Sequence, residues 1–403
     1  MTKRSALISA STGGAGDALD RRDFVRLGTA SGLILGPAGR ALASAVKAPA
    51  GFIGINALWI PGEEAVLRDR FTRAKALGLT NVRMDWEWRL AEPRPGKYDW
   101  MALDRLVRVA HEVGISLLPI VHYAPDWALP PIAKGSGVSE LGPTTQAFDA
   151  LAQFMVACVK RYGLGGDSPV PFNPIIHWQV WNEPNNKDFW GPAPEPARFA
   201  VLARRVATAL APYRDRIKIV HAGLSKADHV FLWQLWEADR QYGDTFDIMA
   251  VHPYFFDWWK GIRRPDEMDA DVGEDGKLGF LGDKYKPNYL GKVFNLQLFM
   301  TLRGAAGKPI WITEIGFFVS RKWLGVNDDQ QAQLMADTMS YIIRKLTIEP
   351  FGDGQRALPA NVQRVYWFAL DDYALPDGYG NFGIYRMDRT PRPSRQVLQG
   401  LIP

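Results

Sequence analysis

Two glutamates carry the strongest chemical signal in this 403-residue sequence. Glu183 lies in the segment Trp-Asn-Glu-Pro-Asn at 181–185, and Glu314 lies in Trp-Ile-Thr-Glu-Ile-Gly at 311–316. Each ends a short apolar run typical of a buried strand. A carboxylic acid and a carboxylate held together can protonate a departing oxygen and attack the carbon that it leaves. Either glutamate alone could equally accept backbone hydrogen bonds at a turn, but the two together favour a catalytic pair.

Strand and helix patterns alternate along the chain from residue 52 onward. The predicted strands are 52–58, 81–86, 115–122, 175–181, 217–222, 246–251, 309–313 and 362–370. The predicted helices are 63–77, 100–113, 144–162, 196–210, 229–242, 292–303, 328–346 and 394–401. Strands joined by helices form parallel sheets, and no glycine-rich phosphate loop follows the first strand. We therefore predict an α/β fold, a single (β/α)8 TIM barrel, rather than an open doubly wound sheet.

The barrel prediction gives the two glutamates a common location. Active sites of such barrels lie at the carboxyl ends of the strands, and both glutamates end a predicted strand. We expect one catalytic domain over residues 46–403, with a long loop after strand six. That loop, 263–287, is rich in Gly, Asp and Lys, and either a cleft wall or a tolerated surface insertion fits it.

The first 45 residues are typical of an export signal. Arg21 and Arg22 precede Phe24, a weakly apolar stretch follows at 27–38, and Ala-Ser-Ala stands at 43–45. This pattern is that of a twin-arginine signal, and we predict export to the periplasm or the extracellular space. A disordered basic tail is the alternative. The apolar stretch falls short of the ~20 residues that cross a bilayer, so we expect no membrane insertion.

Composition argues against several other classes of function. The net charge is +5 and no run of Lys or Arg supports a nucleic-acid partner. Cys158 is the only cysteine, which rules out an intramolecular disulfide, and its apolar helical surroundings predict a buried thiol. The six histidines form no H-x-H pair at the first strand, so we predict neither a metal nor a cofactor, and we expect a monomer.

At its two glutamates the sequence resembles glycoside hydrolase clan A. Trp-Asn-Glu-Pro and Thr-Glu-Ile-Gly are similar to the two signatures of that clan, and the resemblance covers about residues 51–403. It implies a retaining β-glycosidase that works through a covalent glycosyl-enzyme. In that mechanism Glu183 is the acid/base and Glu314 is the nucleophile.

The resemblance extends to five further positions. It implies that Arg83 orients the nucleophile, that Asn182 binds a sugar 2-hydroxyl, and that Tyr254 donates a hydrogen bond to the nucleophile. It also implies that His252 lines the cleft and that Trp367 forms an aromatic floor under the sugar. The alternatives are a surface ion pair for Arg83 and an ordinary core residue for Trp367.

The segment His-Tyr-Ala-Pro-Asp-Trp at 122–127 resembles a segment of bacterial enzymes close to glycoside hydrolase family 39. The segments 383–385 and 391–393 resemble those enzymes too, and glycoside hydrolase family 5 shares much of the pattern. His122 is therefore a further expected substrate-binding residue. No appended β-sandwich is visible, so we expect endo action on a polysaccharide or oligosaccharide. An exo-acting, β-xylosidase-like enzyme and a transglycosylase are alternatives, whereas a non-catalytic polysaccharide-binding barrel would not need both carboxylates. Six tryptophans follow predicted strands and could either form the floor of a substrate groove or pack against loops: Trp86, Trp88, Trp127, Trp190, Trp258 and Trp259.

Overall fold

The computed structural model describes residues 47–58, 63–131, 141–254, 256–257, 261–262, 290–320, 325–347, 360–374 and 380–403. The predicted export signal and the predicted long loop at 263–287 lie outside these residues. None of the helices within the described ranges is long and apolar enough to cross a membrane.

Nine parallel strands form one curled sheet that supports the site. The strands are β1 (Ile53–Asn56), β2 (Asn81–Glu87), β3 (Ser116–His122), β4 (His177–Val180), β5 (Lys218–Val220), β6 (Leu224–Ser225), β7 (Met249–His252), β10 (Ile310–Ile315) and β11 (Val362–Trp367). Their order in the sheet is β5-β4-β3-β2-β1-β11-β10-β7-β6. A separate antiparallel pair, β8 (Phe256–Asp257) and β9 (Gly261–Ile262), follows β7.

Each of the eight predicted strand segments overlaps a strand of this sheet. The ninth strand, β6, was not predicted: the predicted strand 217–222 corresponds to β5, and β6 follows it after Gly223, whose φ is +70°. Both β5 and β6 approach β7 and the residue before it, since Val220 forms a parallel bridge with Ile248 and Leu224 pairs with Val251. Val220 at the end of β5 and Leu224 at the start of β6 therefore both lie beside the segment 248–251.

Nine α-helices cover the outside of the sheet in the described part of the chain. They are α1 (Glu64–Ala76), α2 (Trp88–Ala91), α3 (Met101–Val113), α4 (Phe148–Tyr162), α5 (Pro196–Leu210), α6 (His229–Ala238), α7 (Lys292–Leu302), α8 (Asp328–Tyr341) and α9 (Pro393–Leu401). The short helix α2 was not predicted. Helix α6 ends four residues earlier than predicted because Asp239 adopts an extended conformation at its end.

Two apolar clusters stabilise this arrangement. The larger one fills the space between the sheet and the helices, and the smaller one lies on the opposite, inner face of the sheet. The inner cluster consists of Leu118, Val220, Ile248, Ala250, Trp311 and Tyr366. Because successive strand residues point to opposite faces, this cluster identifies which residues of each strand face inward.

Cys158 is confirmed as a buried thiol. It has no exposed surface, and its sulfur accepts a hydrogen bond from Trp86 Nε1 at 3.3 Å. Burial raises the pKa of this thiol far above its usual range.

Candidate active site

A strained turn after β4 presents Glu183. Trp181 and Glu183 have φ values of 64° and 41°, a left-handed conformation that costs free energy for residues with a Cβ. The backbone N–H of Glu183 donates to the carbonyls of Ala222 and Gly223, at 3.1 and 3.2 Å. These bonds attach the turn to the link between β5 and β6 and thereby fix the direction of the Glu183 side chain.

His252 and Asn186 hold the carboxyl group of Glu183. His252 Nδ1 lies 2.7 Å from Oε1, and Asn186 Nδ2 donates to Oε2 at 3.0 Å. The other ring nitrogen of His252 lies 2.9 Å from Thr313 Oγ1. His252 is fully buried, so it fills the space between the strand that carries Glu314 and the turn that carries Glu183.

Arg83 and Tyr254 hold the carboxyl group of Glu314, which follows Thr313 on β10. Arg83 Nη1 donates to Oε1 at 2.6 Å, and the Tyr254 hydroxyl donates to Oε2 at 3.0 Å. Burial opposes ionisation here, but the charges of His252 and Arg83 and the hydrogen bonds from Arg83 and Tyr254 outweigh it. Together they hold the pKa of Glu314 below its usual value.

The two carboxyl groups converge. One oxygen of Glu183, one oxygen of Glu314 and a ring nitrogen of His252 all lie within 4.8 Å of one another. Only 9% of the Glu183 side chain and 13% of the Glu314 side chain are exposed, so both face a largely enclosed site.

The same three side chains have the spacing of a metal site, but their surroundings do not favour one. Both ring nitrogens of His252 already have partners, Glu183 and Thr313. The guanidinium of Arg83 lies 2.6 Å from the Glu314 carboxylate and would repel a divalent cation there.

The structure brings most of the sequence-predicted residues to this site. Arg83, His252 and Tyr254 each contact one of the two glutamates, as described above. Asn182 is buried beside them, and its Oδ1 accepts from Arg83 Nη2 at 3.1 Å, which leaves its amide N–H groups for another partner. His122 contacts neither glutamate; its Nε2 lies 2.8 Å from Asp85 Oδ1.

Trp367 does not form the predicted aromatic floor, and that expectation is wrong. Its side chain has no exposed surface and packs in the outer cluster, with its ring 5.9 Å from that of Phe317. The reason is strand alternation, since the preceding Tyr366 faces inward and Trp367 therefore faces the helices. The half-buried ring of Phe368, the next residue, lies 6.4 Å from that of Tyr254 and borders the site instead.

The tryptophans that follow strands mostly pack the protein interior. Trp86, Trp88 and Trp190 are fully buried, and Trp127 packs edge-on against Trp88 and donates to the carbonyl of Glu92 at 3.0 Å. Trp258 and Trp259 lie outside the described residues.

Residues at or near the site that were not predicted include Asp85, Asn186, Phe368 and Tyr373. A signal for Asp85 was present, because Arg83, Asp85 and Glu87 alternate along β2 and must share the inward face. Nothing comparable in the sequence distinguished Phe368 from Trp367, or Tyr373 from an ordinary loop residue.

Comparison with known proteins places the fold among glycoside hydrolases. A family 39 glycoside hydrolase from the gut symbiont Bacteroides cellulosilyticus WH2 has a TM-score of 0.55 at 19% identity, over 89% of this chain and 64% of that one. A GH5_18 protein from Bifidobacterium longum subsp. infantis has a TM-score of 0.55 at 14% identity, over 87% and 77%. The exo-β-1,4-mannosidase of Opitutaceae bacterium strain TAV5 has a TM-score of 0.53 at 15% identity, over 86% and 58%.

These likenesses show a shared fold. The chain spans less than two thirds of the length of the family 39 structure and of the mannosidase. No protein-family model and no curated protein sequence matches the chain.

The contact between Gly223 and His252 gives a testable prediction. A Cβ at Gly223 would lie 2.4 Å from His252 Nε2, whereas a Cβ at Gly304, whose φ of +76° is nearly the same, would meet nothing within 4 Å. Both Gly→Ala substitutions incur the left-handed backbone cost of about 1–2 kcal/mol. Gly223→Ala should lose about 1–3 kcal/mol more of the free energy of unfolding because of overpacking. Urea denaturation measures the difference, and equal losses in the two variants would show that His252 is not fixed where we describe it.

Proposed function

We propose that this protein is a retaining β-glycosidase of glycoside hydrolase clan A. The observation that carries the proposal is the convergence of the two carboxyl groups, whose nearest oxygens lie within 4.8 Å of each other at the carboxyl ends of parallel strands. Retaining enzymes keep their two carboxyl groups about 5–5.5 Å apart, and inverting enzymes about 6.5–9.5 Å. The close spacing therefore supports double displacement.

The surroundings of each carboxyl group support its separate role. Glu314, whose charge Arg83 and Tyr254 stabilise, attacks the anomeric carbon and forms the glycosyl-enzyme. Glu183 donates its proton to the departing oxygen and then, as a base, takes one from the incoming water. Asn182 is placed beside Arg83 with free amide donors for a sugar hydroxyl, and Phe368 offers an apolar face at the border of the site.

The eight-stranded barrel is part of the proposal. If β5 and β6 are two parts of one strand, the sheet has eight strands and closes between that strand and β7. The Val220–Ile248 bridge and the hydrogen bond from the His221 N–H to the Ile248 carbonyl, at 2.9 Å, support closure.

Endo action on a polysaccharide is the substrate mode that we propose to test first. An exo-acting enzyme and a transglycosylase would use the same two glutamates. Size analysis of products from a panel of bacterial exopolysaccharides and plant β-glycans separates internal from terminal cleavage. The same assay with an added acceptor sugar separates transfer from hydrolysis.

The main test compares good and poor leaving groups. Glu183→Ala should reduce kcat/KM on a phenyl β-glycoside about 100-fold or more, but should affect the matching 2,4-dinitrophenyl glycoside far less, since that leaving group needs no proton. Labelling with a 2-deoxy-2-fluoroglycosyl fluoride, followed by peptide mass spectrometry, should identify Glu314. Equal losses on both substrates would contradict the acid role of Glu183, and a label on another carboxylate would contradict the role of Glu314.

The hydrogen bond from Tyr254 to Glu314 predicts a change in pH dependence. Glu314 must be ionised to attack, and its lowered pKa places the acidic limb of kcat/KM below the usual range of a glutamate. Tyr254→Phe removes a donor to the ionised form, so the pKa of Glu314 rises and the acidic limb moves up by about 0.5–1 pH unit. Tyr213→Phe, on the outer 3-10 helix Ala211–Tyr213, is the control and should leave the limb in place. A limb that does not move in Tyr254→Phe would show that this bond does not stabilise the nucleophile.

We also propose export by the twin-arginine route, on the residues described in the sequence analysis. Replacing Arg21 and Arg22 together by lysine should retain the protein inside the cell, because the route depends on the arginine pair. Cell fractionation measures this, and Lys3→Arg with Arg4→Lys is a control that keeps the charge. Unchanged export of the double-lysine variant would overturn the proposal.

A further inference from the structure

Strand β2 presents three charged side chains in succession toward the interior of the curled sheet. Arg83 faces inward, because it contacts Glu314, so Asp85 and Glu87 share that face by strand alternation. Each step of two residues raises the side chain by about 6–7 Å toward the carboxyl end. Asp85 therefore lies one layer above the Arg83–Glu314 pair, on the side from which a substrate enters.

The three side chains differ in how their charges are compensated. Arg83 is paired with Glu314, and Glu87 is paired with Arg89 Nη2 at 2.6 Å. Asp85 Oδ1 accepts from His122 Nε2 at 2.8 Å, while Oδ2 has no hydrogen-bond partner within the described ranges. The Asp85 side chain is 12% exposed and that of His122 only 3%, so Asp85 is the more accessible member of the pair.

Tyr373 borders the same place from the loop after β11. Its ring lies 6.1 Å from that of Phe368, which borders Tyr254. Burial raises the pKa of its hydroxyl, and the negative charges of Glu314, Asp372 and Asp85 raise it further. The loop is firmly held, because the buried Asp372 accepts from Arg392 Nη1 and Nη2 at 2.8 and 2.7 Å. The Tyr373 N–H donates to the Gly380 carbonyl at 2.9 Å. The two backbones pack so closely that a Cβ on Gly380 would lie 1.6 Å from the Tyr373 carbonyl oxygen.

The space beside the two glutamates is blocked on one side. On the β7 side, the fully buried His252 occupies the gap between Glu183 and Thr313. The ring that Glu314 attacks must therefore lie toward β11, β1, β2 and β3, where Asp85 and Tyr373 stand. A carboxylate oxygen without a partner suits sugar hydroxyls, which are hydrogen-bond donors.

We propose that Asp85 selects the sugar ring that Glu314 attacks, by accepting hydrogen bonds from its hydroxyl groups and by rejecting rings that carry a carboxylate. The inference deepens the function proposed above and rests on it. The substrate class at this position is a sugar without negative charge. A uronic acid would bring a second carboxylate beside Asp85, where the described cations Arg83 and Arg89 are already paired with Glu314 and Glu87.

The test uses matched activated glycosides with the full-length protein. A panel of 4-nitrophenyl β-glycosides identifies the neutral sugar that the enzyme cleaves best, and its uronate counterpart forms the pair. We expect kcat/KM of the wild type to favour the neutral member by at least about 100-fold. Asp85→Asn should lower kcat/KM on the neutral substrate by about 10- to 100-fold and reduce the preference at least tenfold, since one charged acceptor is lost.

Asp85→Asn also separates contact with the sugar from a merely positioning role. An asparagine oxygen still accepts from His122 Nε2, so a residue that only orients His122 would tolerate this change. Asp149→Asn, which removes the same charge from an exposed position on α4, is the matched control and should leave both kcat/KM values unchanged. Thermal unfolding checks the fold, and Asp85→Ser provides a second variant that removes the charge.

The outcomes distinguish this inference from the proposed function. Absence of any glycoside hydrolysis and of a label on Glu314 in the wild type would overturn the function itself. Hydrolysis with equal kcat/KM for the neutral and uronate substrates would overturn only the role of Asp85. A preference that Asp85→Asn and Asp85→Ser leave unchanged would do the same.

Discussion

The site depends on one buried cation, the guanidinium of Arg83. It is 1% exposed, and an unpaired charge in such a place would be strongly unfavourable. Its donors are used by four acceptors from three strand ends, which are Asn56, Gln179, Asn182 and Glu314. Because the planar guanidinium fixes the direction of each bond, satisfying it also fixes where β1, β4 and β10 stand relative to β2.

This arrangement makes the two glutamates chemically different although they are close neighbours. The charges of His252 and Arg83 and the hydrogen bonds from Arg83 and Tyr254 stabilise the charge of Glu314, so its pKa falls in spite of burial. Glu183 has neither partner and is bound by His252 and Asn186. The proposed double displacement needs this asymmetry, since it requires one nucleophile and one proton donor, and two equivalent carboxylates would compete for the same role.

Small residues make the close packing around His252 possible. Gly223 interrupts the strand at the point where the His252 ring passes, and its φ of +70° lets the backbone turn there. The same interruption exposes the carbonyls of Ala222 and Gly223 to the Glu183 N–H. One glycine therefore positions both the acid residue and the histidine beside it, at the cost of dividing a strand into β5 and β6.

The sequence by itself determined the alternation of strands and helices and the location of both glutamates at strand ends. It could do so because apolar periodicity and the residues that follow a strand are local properties. Arg83, Asn182, His252 and Tyr254 could also be named in advance, because the sequence around them resembles that of clan A glycoside hydrolases.

Only the tertiary structure decided which side of each strand faces the site. A shift of one residue moves a side chain to the opposite face, so Trp367 lies in the outer core and Phe368 at the site. Tertiary structure also decided the distance between the two carboxyl groups, because that distance depends on how residues far apart in sequence pack around Arg83. Tertiary structure decided the surroundings of Asp85 as well: its side chain is 12% exposed, and its Oδ2 has no hydrogen-bond partner within the described ranges.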